Sequence, residues 1–261
     1  MIDIKDIYSI IVVYNKRCKD SITFNCLKEV QDLNIIVCDN STGDYGNKDY
    51  VESLGYSYIN MDGNKGLPKA YNKAISTIKA KQGYICLFDD DTSIPEDYFT
   101  TLIRDANNSN SDILLPIVYD EIGIMSPTLA GRYAIKRISD LGQLSNSSIS
   151  AINSGMAIKI DCFENYRYNE EMFLDFVDHE FMKQMRTQNK KISIMDIKIK
   201  QSFSANVNSK QSDISRIKIL KKDLRLFYKD TFISRFYGAY VILKRKAKLT
   251  IKHKEPRFLF I

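Results

Sequence analysis

The stretch "GYICLFDDDTSIPEDYF", Gly83 to Phe99, sets three consecutive aspartates, Asp89, Asp90 and Asp91, directly behind a short apolar run. Like charges so close raise one another's pKa unless something positive lies between them, and a divalent cation with oxygen ligands is the usual partner. The stretch therefore asks for a metal. A second acidic cluster, Asp175, Asp178 and Glu180, lies among Phe173, Phe176 and Val177. On a helix, Asp175 and Asp178 would share one face. A solvated helix N-terminus would suit them through the dipole. Partial burial beside the apolar neighbours would instead lift a carboxylate toward the range of a general base. With two histidines and no evident Ser–His pairing, the chain offers carboxylate and metal chemistry rather than a protein nucleophile.

The elements that must hold these carboxylates alternate along the chain. "IYSIIVVY", "NIIVCD" and "YSYIN" read as strands, and Tyr84 to Phe88 as a strand buried on both faces. "DSITFNCLKEV" reads as a helix, and another begins near Leu67, with Pro68 in its first turn and Ala70, Ala74, Ile75 and Ile78 on one face. Ser93 and Glu96 form a capping box ahead of Phe99, Leu102, Ile103 and Ala106. "DILLPIVYD" is a strand weakened by Pro116, and "AINSGMAIKI" another. A helix is expected from about Leu174, with Leu174, Val177, Phe181 and Met185 buried. This order predicts an α/β fold with a mostly parallel sheet, whose ligands sit beyond the carboxyl ends of the strands. Asn15, Asp39 to Ser41, "MDGNKG" and the three aspartates all end strands and would face that crevice. Neither G-x-G-x-x-G nor a P-loop occurs, so a metal is left to hold phosphate.

At 261 residues and 44% apolar content, the chain has room for one large domain with an appendage. The charged flanks of "YSIIVVY" lack the order of a secretory signal, and no apolar run approaches the ~20 residues that span a bilayer. Five cysteines without a C-x-x-C pair read as buried thiols of a reducing cytosol.

Taken together, "SIIVVYN", "VCDNST", "NKGLPKAYNKAI", "FDDDTSIP", "NSGMAI" and "FLDFVDHEF" resemble, in order, glycosyltransferase family 2 enzymes of the GT-A fold, particularly rhamnosyltransferase-like builders of bacterial surface polysaccharide. The match covers residues 8 to 200. The resemblance implies a Rossmann-like GT-A catalytic domain over 1–205 and a helical, basic extension over 206–261. It implies an inverting, metal-dependent transferase that takes a sugar from a UDP- or dTDP-sugar to a saccharide or lipid-linked saccharide in capsular or surface polysaccharide synthesis. Asp39 would meet the nucleotide base, with Asn15, Asn64, Lys65 and Gly66 near nucleotide and ribose and Asn72 supporting that loop. Asp89 and Asp91 would hold Mn or Mg, Asp91 most directly, and Asp90 would lie by the sugar or ribose. Asp178 would be the base, with Asp175 the runner-up; Glu180 takes the family's second acidic place, and Ser154 and Gly155 would line the acceptor side. The chain departs from the family in lacking a histidine in "KIKQSFS" and in having Lys183 or Gln184 where arginine is frequent.

Two other readings compete. "FDDDTS" also fits haloacid-dehalogenase-like phosphatases, with Asp89 as nucleophile, although that motif normally closes the first strand of its domain. A non-catalytic sugar-nucleotide-binding module is the other. From Arg235 the tail carries eight Lys and Arg against Glu255 alone, enough to supply the net charge of +6. It reads either as a helix packed on the catalytic domain or as a dock for the inner face of the cell membrane, the protein itself being cytoplasmic; nucleic acid is not expected as a partner.

Overall fold

The computed structural model describes residues 1–201 and 209–261. The first four apolar runs become β1 (Ile7–Val13), β2 (Asn34–Asp39), β3 (Ser57–Asn60) and β4 (Tyr84–Asp89), with α1 (Ile22–Leu27), α2 (Asn47–Ser53) and α3 (Leu67–Thr77) between them. There follow α4 (Tyr98–Ser109), β5 (Ile113–Asp120), β6 (Gly123–Ser126), β7 (Thr128–Ala130), β8 (Ile135–Lys136), β9 (Ile149–Ser150) and β10 (Met156–Lys159). The chain then runs through α5 (Val177–Thr187), β11 (Ile192–Lys200), α6 (Lys210–Phe227) and α7 (Phe232–His253).

The main sheet has the order β11-β5-β10-β4-β1-β2-β3, with β6 on β5, and β8-β7-β9 form a small second sheet. β3, β2, β1 and β4 pair in parallel, so the four polar strand ends emerge at one edge. β10 is antiparallel to both β4 and β5, which makes the sheet mixed on that side. Alternate strand residues feed opposite faces. Ile10, Ile36, Ile85 and Leu87 pack with α3 and α5, while Ile11, Val37, Cys86 and Phe88 pack with α1 and α4. All the cysteines are free thiols.

Pro116 lies inside β5 and, lacking an N–H, faces an irregularity in β11, where Leu115 pairs with Ile194 but Ile117 with Lys198. Two local expectations need correction. Ser93 and Glu96 do not cap α4, which starts at Tyr98 after Asp97. Pro95 keeps the residue before it out of the helical region. Nor does a helix begin at Leu174: α5 starts at Val177, Leu174 is exposed, and Phe176 before it is left-handed, with φ 63°.

Candidate functional site at the strand-end crevice

The loop after β4 is built by α1. The Thr23 hydroxyl donates to the Asp89 carbonyl at 2.5 Å and accepts from the Thr92 N–H at 2.8 Å, while Ser21 Oγ donates to the Asp90 carbonyl at 2.7 Å. Held this way, the three carboxylates diverge. Asp90 pairs with Lys16 Nζ at 2.8 Å, so part of the positive charge the cluster calls for comes from the end of β1. Asp89 turns inward, where the Ser154 hydroxyl donates to its Oδ2 at 2.8 Å. Its carboxyl is pushed up to about 6, by burial first and then by Asp91, Asp178 and Asp90, against the lowering effect of Ser154. Asp91 stands at the open lip; desolvation by the surrounding walls and then the Asp90 charge raise it, while Lys16 lowers it.

Asp39, at the end of β2, is buried and committed on both oxygens. Oδ1 accepts the Ser41 N–H at 2.9 Å; Oδ2 accepts Asn47 Nδ2 at 2.8 Å and the Tyr58 hydroxyl at 3.1 Å. It sits in the wall of a polar cavity of about 780 Å³ that also includes Ser41, Asp44, Asn60 and Asp62. Asn15 ties the β1 and β2 loops together, its Oδ1 accepting from the Thr42 N–H at 2.9 Å. Asn40 clamps the next loop, accepting from the Lys65 N–H at 3.2 Å and donating to the Gly66 carbonyl at 3.3 Å. Asn64 Oδ1 accepts the Gly66 N–H. Gly66 has φ +85°, and a Cβ there would lie 2.7 Å from the Phe173 carbonyl oxygen. Asn72 does not support this loop; it exchanges hydrogen bonds with Tyr168, tying α3 to the segment before α5.

The second acidic cluster divides at Phe176. A bulky side chain in the left-handed region is a strained arrangement, and here it turns Asp175 and Asp178 apart, so they do not share a helix face. Asp175 faces α6, where Arg216 Nη2 meets it at 2.7 Å. Burial pushes its carboxyl up to about 6 despite that arginine. Asp178, in the first turn of α5, lies where its charge raises both Asp89 and the buried Tyr71. Glu180 accepts from Gln184 Nε2 at 2.9 Å. Ser154 and Gly155 do not line an open acceptor side: Ser154 is fully buried behind Asp89, and the Gly155 carbonyl accepts from the Tyr98 hydroxyl at 2.6 Å. Of "KIKQSFS", residues 202–204 lie outside the described residues.

Sequence reasoning missed Lys16, Ser21, Thr23 and Asp223. Lys16 carried a signal, since it follows the first strand end directly. Asp223 carried none: fully buried on α6, it accepts the N–H groups of Phe173, Leu174 and Asp175 at 2.9, 2.9 and 2.8 Å, fixing the strap that leads into α5. That strap reaches the loop between β3 and α3, because the Phe173 carbonyl accepts the Leu67 N–H at 2.8 Å.

Mg or Mn is usually held by one or two carboxylates plus substrate phosphates. The oxygen donors of Asp89 and Asp91 fit that pattern. Among the described residues, no three Asp, Glu, His or Cys ligand atoms gather within 4.8 Å in this crevice; the one such trio, Asp112, Asp161 and Cys162, lies at the opposite end of β5.

Residues 9–157 match glycosyl transferase family 2. A dTDP-rhamnosyl transferase, RfbF of Shigella flexneri, is 28% identical over 185 residues, covering 67% of this chain and 62% of that protein. The chain thus spans less than two thirds of that relative. The mannosyltransferase PcManGT from Pyrobaculum calidifontis, solved with GDP-Man and Mn2+, superposes with a TM-score of 0.61 at 12% identity, over 94% of this chain and 72% of that one. S. aureus TarS 1-349 in complex with UDP gives 0.55 at 15% identity, over 91% and 70%. At such identities the likeness shows the fold, that of GT-A glycosyltransferases.

Proposed function

The chain belongs to glycosyl transferase family 2, and from that premise we propose that it is an inverting enzyme of surface or capsular polysaccharide synthesis. It takes a sugar from a UDP- or dTDP-sugar to a saccharide or lipid-linked saccharide acceptor. Residues 1–205 form the catalytic part and 206–261 a basic extension. The observation that carries this reading is the parallel pairing of β3, β2, β1 and β4, which brings Asp39 and the Asp89–Asp91 loop to one edge of the sheet in a chain whose residues 9–157 match the family.

In this reading the nucleoside lies in the cavity beside Asp39, with Asn15, Asn64, Lys65 and Gly66 around base and ribose and Asp90 toward the sugar. Asp91 and Asp89 hold Mn or Mg, which supplies charge neutralisation on the departing diphosphate. The half-buried Asp178 carboxylate takes the proton from the acceptor hydroxyl as that oxygen bonds to the anomeric carbon and the opposite C–O bond to the diphosphate breaks. A single displacement inverts the centre. A phosphatase nucleophile at Asp89 is less well supported: one oxygen is occupied by Ser154, and β4 follows three strands.

No helix among the described residues is long and apolar enough to cross a membrane. The extension is assigned to peripheral contact with the inner face of the cell membrane, because its basic helices carry exposed apolar side chains. The test of the transferase reading is a panel of nucleotide sugars incubated with Mn or with chelator and no acceptor. Slow release of UDP or dTDP from one donor, stopped by chelator, is expected. Release of inorganic phosphate from simple phosphomonoesters would favour the phosphatase, and donor binding without turnover, with or without saccharide acceptors, the module.

A further inference from the structure

α6 and α7 enclose a groove of about 580 Å³ whose buried lining includes Leu224, Tyr228, Gly238 and Ile242, with the exposed Ala239 and Leu243 at its edge. Five cations, Lys221, Arg225, Lys229, Arg235 and Lys246, stand around it, and no acidic side chain lines it. Among the described residues, none of the five has an Asp or Glu partner within 4.0 Å. Lys221 and Lys246 donate only to main-chain oxygens, at Ile261 and Leu259. Burial, then the charges of Lys221 and Arg225, lower Lys246, so these cations repel one another. Beside the groove, Phe232, Phe236, Tyr240 and Leu243 recur every three or four residues as one stripe of α7, exposed by 73%, 62%, 57% and 57%. Leu243 belongs to both stripe and groove.

An apolar floor inside an unpaired cationic rim, bordered by an exposed apolar stripe, matches a molecule with an anionic head and a hydrocarbon tail. We infer that the α6–α7 groove binds the phosphate head of an anionic lipid while the stripe enters the acyl layer next to it. The inference rests on the membrane reading above and gives it a specific site. RNA would offer phosphates to the rim but nothing suited to the floor or the stripe. The occupant would lie one residue from the catalytic strap, since Leu224 forms the floor and Asp223 holds Phe173 to Asp175.

The test is co-sedimentation of the whole protein with vesicles of phosphatidylcholine alone or with phosphatidylglycerol. Wild type should pellet with the anionic vesicles. Arg225→Gln with Lys246→Gln should weaken binding about thirtyfold, as expected for two cations at a charged surface. Lys244→Gln with Lys248→Gln removes the same charge from side chains that do not line the groove, so it should cost clearly less than the first pair. Ala239→Trp, which sets a bulky ring at the edge of the groove without changing charge, should weaken binding as the first pair does, with thermal unfolding confirming that each variant is folded. Equal losses for the two charge pairs would overturn the groove while leaving the membrane reading in place. No pelleting of wild type would remove both. Preference for RNA over anionic vesicles would overturn the lipid assignment.

Discussion

The central residues are carboxylates with different neighbours, and those neighbours predict different responses. Asp178 faces the acceptor in the proposed chemistry, so Asp178→Asn should bind donor as wild type does while transfer falls by roughly 10²- to 10⁴-fold. Single-turnover kinetics would measure this, and near-normal transfer would move the role to Asp175. Asp89 has a folded pKa of about 6 against an ordinary 3.8, so the fold prefers its protonated form. Its ionisation cost is absent below about pH 4 and fully present above about pH 6, which means its contribution to stability falls as pH rises through that window. Asp89→Asn should therefore stabilise the metal-free protein by up to about 3 kcal/mol near neutral pH and hardly at all near pH 4. Denaturant unfolding at both pH values checks this; a pH-independent difference would contradict it. The three aspartates were legible as a cluster. Their separate partners were not, because Lys16, Thr23 and Ser154 reach them from distant parts of the chain.

The strands were legible because their alternation is local: every apolar run through β5 became one. The start of α5 was not, since the apolar spacing of Leu174, Val177 and Phe181 continues through Phe176, and nothing in it announces a left-handed residue. What fixes that turn is remote: Asp223 of α6 accepts the backbone N–H groups of Phe173, Leu174 and Asp175. Asp223→Ala would leave those donors without a partner and an empty space behind them. A loss of about 2–4 kcal/mol is expected, with most transfer activity lost in the protein that remains folded. Asp223→Asn keeps one acceptor and should fall between the two. Urea unfolding alongside an activity assay measures both, and wild-type stability in Asp223→Ala would show that the strap holds itself.

Across the whole chain, charge is divided unevenly: residues 206–261 carry 15 Lys and Arg against 4 Asp and Glu. The sequence showed the excess but left its meaning between packing and docking. In the structure α7 packs on α6 through Ile242 and Leu249, with Lys252 and His253 clasping Asp213, and still exposes its aromatic stripe. Removing α7 would uncover Ile217 and Leu224, so point changes are the sounder probe. Phe236→Ser with Tyr240→Ser, both exposed, should abolish pelleting with anionic vesicles without lowering the melting temperature. Raising salt to about 1 M, where the Debye length is ~3 Å, should weaken wild-type binding; salt-independent pelleting would point to purely apolar adsorption. The account as a whole depends on the crevice holding a nucleoside diphosphate through Asp91 and a divalent cation. Calorimetric titration of the intact protein with UDP and dTDP tests that most directly. Binding of at least one in the presence of Mn, lost with chelator and lost in Asp91→Ala, is the predicted result; binding undiminished by either change would contradict it.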